Sequence, residues 1–208
     1  MSTQQRYPSS SHGKLIAVVV AAAVVIVLAL LSAFVWPGWA MNKGAGEEQK
    51  QQQITTAAKP EPTTPSIKAK ELPQDATPLL KAMPDTVVNF ARTEAAPSAN
   101  WTSASPLEEY TLTYSTGNIA KDVTLVVAQW SGNDTAKTQY DTLTDALKGT
   151  DLASGDVKVS GNATGKYVVK ADSDKSKTAT AVWQNDTVVF QATGPKASIQ
   201  RFYSKFPL

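Results

Sequence analysis

Residues 15–36 read LIAVVVAAAVVIVLALLSAFVW, a run without a single charged side chain. As a helix rising 1.5 Å per residue, about 22 residues span about 33 Å, which matches the hydrocarbon core of a bilayer. Ser32 is the one polar side chain in the run. A core helix of a water-soluble protein rarely runs so far without a polar face. A cleaved signal peptide has a shorter apolar region, about 7–15 residues, and a small-x-small cleavage site. Here the run ends in Pro37-Gly38-Trp39-Ala40, a poor cleavage sequence. Trp36 and Trp39 stand where indole rings favour the headgroup layer. The expectation is therefore an uncleaved signal anchor over 15–36 that crosses a lipid bilayer once.

Orientation follows from the flanking charges. Arg6 and Lys14 precede the run, and Lys43 and Lys50 follow it. The positive-inside comparison is close, since acidic Glu47 and Glu48 weigh little in it. Lys14 at the membrane edge and the short segment 1–14 favour a cytoplasmic tail, with the C-terminal part translocated.

Residues 37–72 are rich in Pro, Gln, Thr, Lys and Glu and include QKQQQ, Pro60, Pro62 and Pro65. Ile54 and Ile67 show no periodic partners. Such a segment buries too little apolar surface to offset chain entropy, so 37–72 reads as a disordered linker. Lys59-Pro60-Glu61-Pro62 favours polyproline II and stiffens it locally.

From residue 73 to 208 the composition becomes that of one folded domain, large enough for a real core. Its acidic and basic residues nearly balance, so the net charge of +2 and the pI near 8.7 belong to the whole chain. A near-neutral domain with interleaved signs has no electrostatic footprint for nucleic acid.

The spacing predicts a short helix over 77–82, halted by Pro84, and a strand over 86–92. A loop with Pro97 and Pro106 carries Trp101. Residues 109–115 alternate, with Tyr110, Leu112 and Tyr114 on one face, and Thr116-Gly117-Asn118 supplies a turn. Residues 123–130 form a nearly continuous apolar run, the mark of a strand covered on both faces. Ala136, Tyr140, Leu143 and Leu147 recur at helical spacing, and Gly149 stands where a helix C-cap belongs. Strands resume at 157–160, 166–171, 177–184 and 187–193, with Asn185-Asp186 as the loop of the last hairpin. Gly194-Pro195 opens a final helix whose Ile199, Phe202, Tyr203 and Phe206 share a stripe. Segments 109–148 and 177–206 repeat one order: strand, turn, strand, amphipathic helix. The expected architecture is α+β, an antiparallel sheet with two amphipathic helices on one face, preceded by the transmembrane helix and the linker.

The chain has no cysteine, and its one histidine is His12 in the tail. A Ser-His-Asp triad, a Cys-His pair and an imidazole metal site are therefore excluded from residues 73–208. Carboxylate or Ser-Lys chemistry would leave no signature here. Asp172-Ser173-Asp174-Lys175-Ser176 resembles the start of a calcium loop, but Lys177 stands where Gly is required and Trp183 where Glu is. It reads as a polar hairpin turn. Asn100, Asn133, Asn162 and Asn185 each begin an Asn-x-Ser/Thr triplet, which matters only in a eukaryotic secretory pathway. No catalytic, cofactor-binding or metal residue is expected. Trp101, Trp130 and Trp183 are candidates for a contact surface, although core packing is their commoner role. Trp101 is the one expected to be exposed, because it sits in a loop.

The Met83-Pro84 pair with Val87, the strand at 110–114, and the 123–130 strand leading to Asn133 and Ala136 give the chain a recognisable order. With the closing Trp183 strand and Gly194, it resembles actinobacterial single-pass, membrane-anchored envelope proteins of unknown function. The resemblance implies an envelope protein and no catalytic residue. The expected function is a membrane-anchored extracytoplasmic binding or interaction module, with an envelope protein or cell-wall component as partner. The alternative is an extracytoplasmic hydrolase or transferase working through carboxylates.

Overall fold

A computed structural model describes residues 61–173 and 177–207. The expected tail at 1–14, the transmembrane helix at 15–36 and the 37–60 part of the linker lie outside these residues. Among the described residues, no helix is long and apolar enough to cross a membrane.

The domain is α+β, built on one antiparallel sheet of eight strands. Among the described residues the first helix is the short α1 (Pro78–Ala82), started by Pro78 and capped by Thr77, whose hydroxyl accepts from the Leu80 N–H at 3.2 Å. Strands β1 (Thr86–Val87), β2 (Phe90–Pro97), β3 (Glu108–Ser115) and β4 (Val123–Gln129) then form a meander. Helix α2 (Asn133–Ala146) carries the chain to the far edge. There β5 (Asp151–Val159), β6 (Asn162–Ala171), β7 (Thr178–Asn185) and β8 (Val188–Pro195) meander back, and α3 (Lys196–Tyr203) follows. The sheet order is β1-β2-β3-β4-β8-β7-β6-β5, so the two meanders meet where β4 pairs with β8.

The helices lie on opposite faces, which corrects the one-face arrangement expected from the sequence. Strand parity shows it. Tyr110, Leu112, Tyr114, Val127, Trp183 and Phe190 join Ile199, Phe202 and Phe206 around α3 in one cluster. Ala128, Val182 and Val189 join Ala136, Tyr140 and Trp130 in a second cluster under α2. The physical reason is the near-continuous burial of the central strands, β7 above all. A strand apolar on both faces needs a cover on each, and one helix covers only one. Rings dominate the α3 cluster: Trp183 stacks on Phe190 at 4.9 Å and Phe206 meets Trp183 edge-on at 5.3 Å.

The described residues include 61–72 of the expected linker. Residues 61–72 form a strap along the sheet edge. Its Lys70 N–H donates to the Arg92 carbonyl at 2.8 Å, and Ser66 Oγ donates to the Thr116 carbonyl at 3.1 Å. Arg201 of α3 pairs with Glu61 and donates to the Pro62 carbonyl at 2.7 Å. Leu72 packs on the core.

Two local details also shift. The last hairpin turns on Asp186-Thr187, with Asn185 paired to Val188 inside the ladder. Gly149 is no helix cap, since α2 ends at Leu147; a side chain on Gly149 would collide with the Ala171 carbonyl. Close backbone approach, not positive φ, is what demands glycine there.

Candidate functional site

Trp101 is buried, 7% exposed, and its expected exposure is overturned. The cause is Glu109 on β3, a buried carboxylate that folds the preceding loop inward. It accepts from Ser98 Oγ at 2.8 Å, the Asn100 N–H at 2.6 Å and the Trp101 N–H at 2.8 Å. The indole then stacks on Trp130, centroids 6.2 Å apart, and Trp130 donates its Nε1–H to the Ala104 carbonyl at 2.7 Å. The pair belongs to the core under α2.

Arg92 on β2 is 1% exposed and acts as a clasp. Nη1 donates to the Met83 and Pro84 carbonyls, both at 3.1 Å. Nη2 donates to the Lys70 carbonyl at 3.1 Å and to Asp85 Oδ1 at 2.6 Å. One guanidinium thus ties both ends of residues 70–84, the segment that carries α1 across the α3 face of the sheet. Tyr114 adds a donation to the Pro84 carbonyl at 2.8 Å, and burial holds its phenol protonated well above the usual range. Beside the clasp, a groove of about 430 Å³ is lined by Pro65, Ile67, Lys68, Glu71 and Asp85, among others. Its charges are answered locally, Lys68 by Glu71 and Asp85 by Arg92.

A third place has hydrogen-bonding capacity left over. On the α3 face, register aligns Glu108, Gln129, Val188 and Asn185 across β3, β4, β8 and β7. Asn185 is fully buried, and neither Oδ1 nor Nδ2 finds a hydrogen-bond partner within the protein. Trp183, two residues earlier on the same face and 4% exposed, has an unpartnered Nε1–H. At the other end of the row, Glu108 Oε2 is buried and unpartnered. Gln129 lies between them, donating weakly to Thr187 Oγ1 at 3.3 Å. A buried polar atom without a partner costs about 1–3 kcal/mol, and native folds carry few of them. Glu108, Trp183 and Asn185 thus leave buried polar atoms unpartnered on one face of the sheet.

The cover over this row comes from two directions. Thr77, at the head of α1, shares a 3.0 Å hydrogen bond with the Tyr110 hydroxyl, one row inward from Glu108. The Tyr110 pKa is raised, first by burial and further by the Glu108 carboxylate, against the Thr77 bond that lowers it. Phe206 covers Trp183.

The residues of this row were readable as anomalies. Glu108, Gln129 and Asn185 each stand at the end of an apolar alternation: Tyr110, Leu112 and Tyr114; Val123, Leu125 and Val127; Ala181 and Trp183. A polar residue ending such a stripe usually marks an exit to solvent, and only the register reveals that all three line one row, Gln129 and Asn185 buried and Glu108 half-buried. Glu108 and Glu109 are neighbours in sequence but face opposite sides of the sheet. Asp172, in the segment that resembled a calcium loop, accepts from the Thr178 and Thr180 hydroxyls. Among the described residues, no cluster of His, Cys, Asp and Glu could hold a metal ion. No family model, no curated protein and no solved structure matches this chain.

Proposed function

We propose that this chain is a membrane-anchored, extracytoplasmic binding module whose recognition site is the Glu108–Gln129–Asn185 row with Trp183. The anchor is the apolar run at 15–36, and the topology is N-terminus cytoplasmic, domain outside. One observation carries the binding reading: Asn185 is fully buried with both ends of its amide unpartnered. An amide in that position favours a state in which a bound molecule supplies the missing acceptor and donor. The partner class is an envelope or cell-wall component, consistent with a domain held outside the membrane.

The test has two parts. Protease added to intact cells digests the domain while a cytosolic marker survives; protection of both reverses the topology. Native mass spectrometry of the full chain, released from its own membranes in mild detergent, shows a non-covalent small-molecule adduct heavier than water. Asn185→Leu loses that adduct. Identical spectra for the two proteins overturn the binding reading.

A further inference from the structure

We infer that the row takes a small uncharged molecule presenting adjacent hydroxyl groups, a sugar or polyol fragment. This rests on the binding reading above and specifies its ligand. The open atoms set the chemistry. Glu108 Oε2 only accepts, Trp183 Nε1–H only donates, and Asn185 offers both an acceptor and a donor. A cation satisfies the carboxylate but leaves the Trp183 and Asn185 N–H groups facing like polarity. An anion suits those N–H groups but meets the Glu108 carboxylate. A hydroxyl donates and accepts at one atom, so neighbouring hydroxyls answer the mixed set without bringing a second charge into the row.

The distances favour more than one hydroxyl. Strands lie about 4.8 Å apart, so the Glu108 and Asn185 Cα atoms, three strands apart in the register, are separated by about 14 Å. A single water, with two hydrogen bonds of about 2.8 Å, bridges less than 6 Å. A chain of resident waters and a polyol share this hydroxyl chemistry, and the experiment separates them. Because the open atoms are buried, access requires the cover to lift. At the Glu108 end that cover is residues 70–84, whose two ends meet on Arg92.

The test is thermal unfolding of the full chain in detergent micelles with four probes. Glucose and N-acetylglucosamine supply neutral hydroxyls, methylammonium a cation and acetate an anion. The expected result is a saturable rise in Tm of a few degrees with the sugars and none with the ions. Asn185→Leu abolishes the rise. Trp183→Phe keeps the ring and deletes the N–H, and it weakens the half-saturating concentration about tenfold, so a misfolded Asn185 variant does not end the test. A rise with an ion alone, cancelled by Asn185→Leu, leaves the binding reading standing and overturns the hydroxyl class. No rise with any probe also overturns the hydroxyl class, whether resident waters or nothing fills the row. The adduct in the native mass spectrum then decides separately whether the binding reading survives.

Discussion

Arg92→Ala lowers the free energy of unfolding by about 3–5 kcal/mol, the size expected when several charge-assisted hydrogen bonds to inward-facing carbonyls are lost and a large buried side chain is emptied. Urea unfolding followed by tryptophan fluorescence measures it. The size comes from what the guanidinium holds. It is 1% exposed and donates to the carbonyls of Lys70, Met83 and Pro84 and to the Asp85 carboxylate. Alanine leaves those main-chain acceptors short of donors and opens a cavity beside Tyr114. Asp85 is a different matter, because its side chain is 74% exposed. Removing it leaves the buried guanidinium without its counter-charge, which water reaching Nη2 offsets only in part, so Asp85→Ala costs about 1–3 kcal/mol, less than Arg92→Ala. If the two substitutions cost the same, the clasp is an ordinary ion pair and the carbonyls do not matter. Arg92→Ala also loosens the strap and residues 70–84 together, so their amides lose hydrogen-exchange protection as one unit.

Trp101→Ala costs about 3–5 kcal/mol, the usual range for emptying a large buried aromatic site. A loop tryptophan that merely awaited a partner would cost little. Here the ring is stacked on Trp130, and the main-chain N–H of Trp101 donates to Glu109. Glu109→Gln, which keeps one acceptor oxygen but not the charge, weakens the same loop by about 1–2 kcal/mol. A Trp101→Ala protein that melts within a degree of the wild type contradicts the packing described for the α2 face.

The two substitutions show why parts of the fold were legible and others were not. Alternation at 109–115 and the apolar run at 123–130 read directly as strands, because period and burial are local properties. The stripes of α2 and α3 were equally plain. Their placement was not, because it depends on which face each neighbouring strand leaves uncovered. Even so, the nearly continuous apolar run at 123–130 already argued for cover on both sides, against two helices on one. The strap was illegible for another reason: the main chain of Lys70 is held by the carbonyl and the guanidinium of Arg92, 22 residues away, and no local pattern encodes that pairing. Trp101 misled because a loop position suggests exposure, whereas Glu109 turns the loop inward. The polar row was hidden by one residue of register. Read as a turn, Asn185 points anywhere; paired with Val188, it points into the α3 face.

The central claim is that a small molecule binds beneath Trp183. Its most direct test is the indole N–H spectrum of the ¹⁵N-labelled full chain in micelles, with Trp183 assigned through Trp183→Phe. Adding N-acetylglucosamine is expected to move the Trp183 Nε1–H resonance saturably. The Trp101 and Trp130 resonances, on the opposite face of the sheet, stay in place. A Trp183 resonance that does not move at saturating probe, or a common drift of all five indoles, Trp36 and Trp39 included, contradicts the claim.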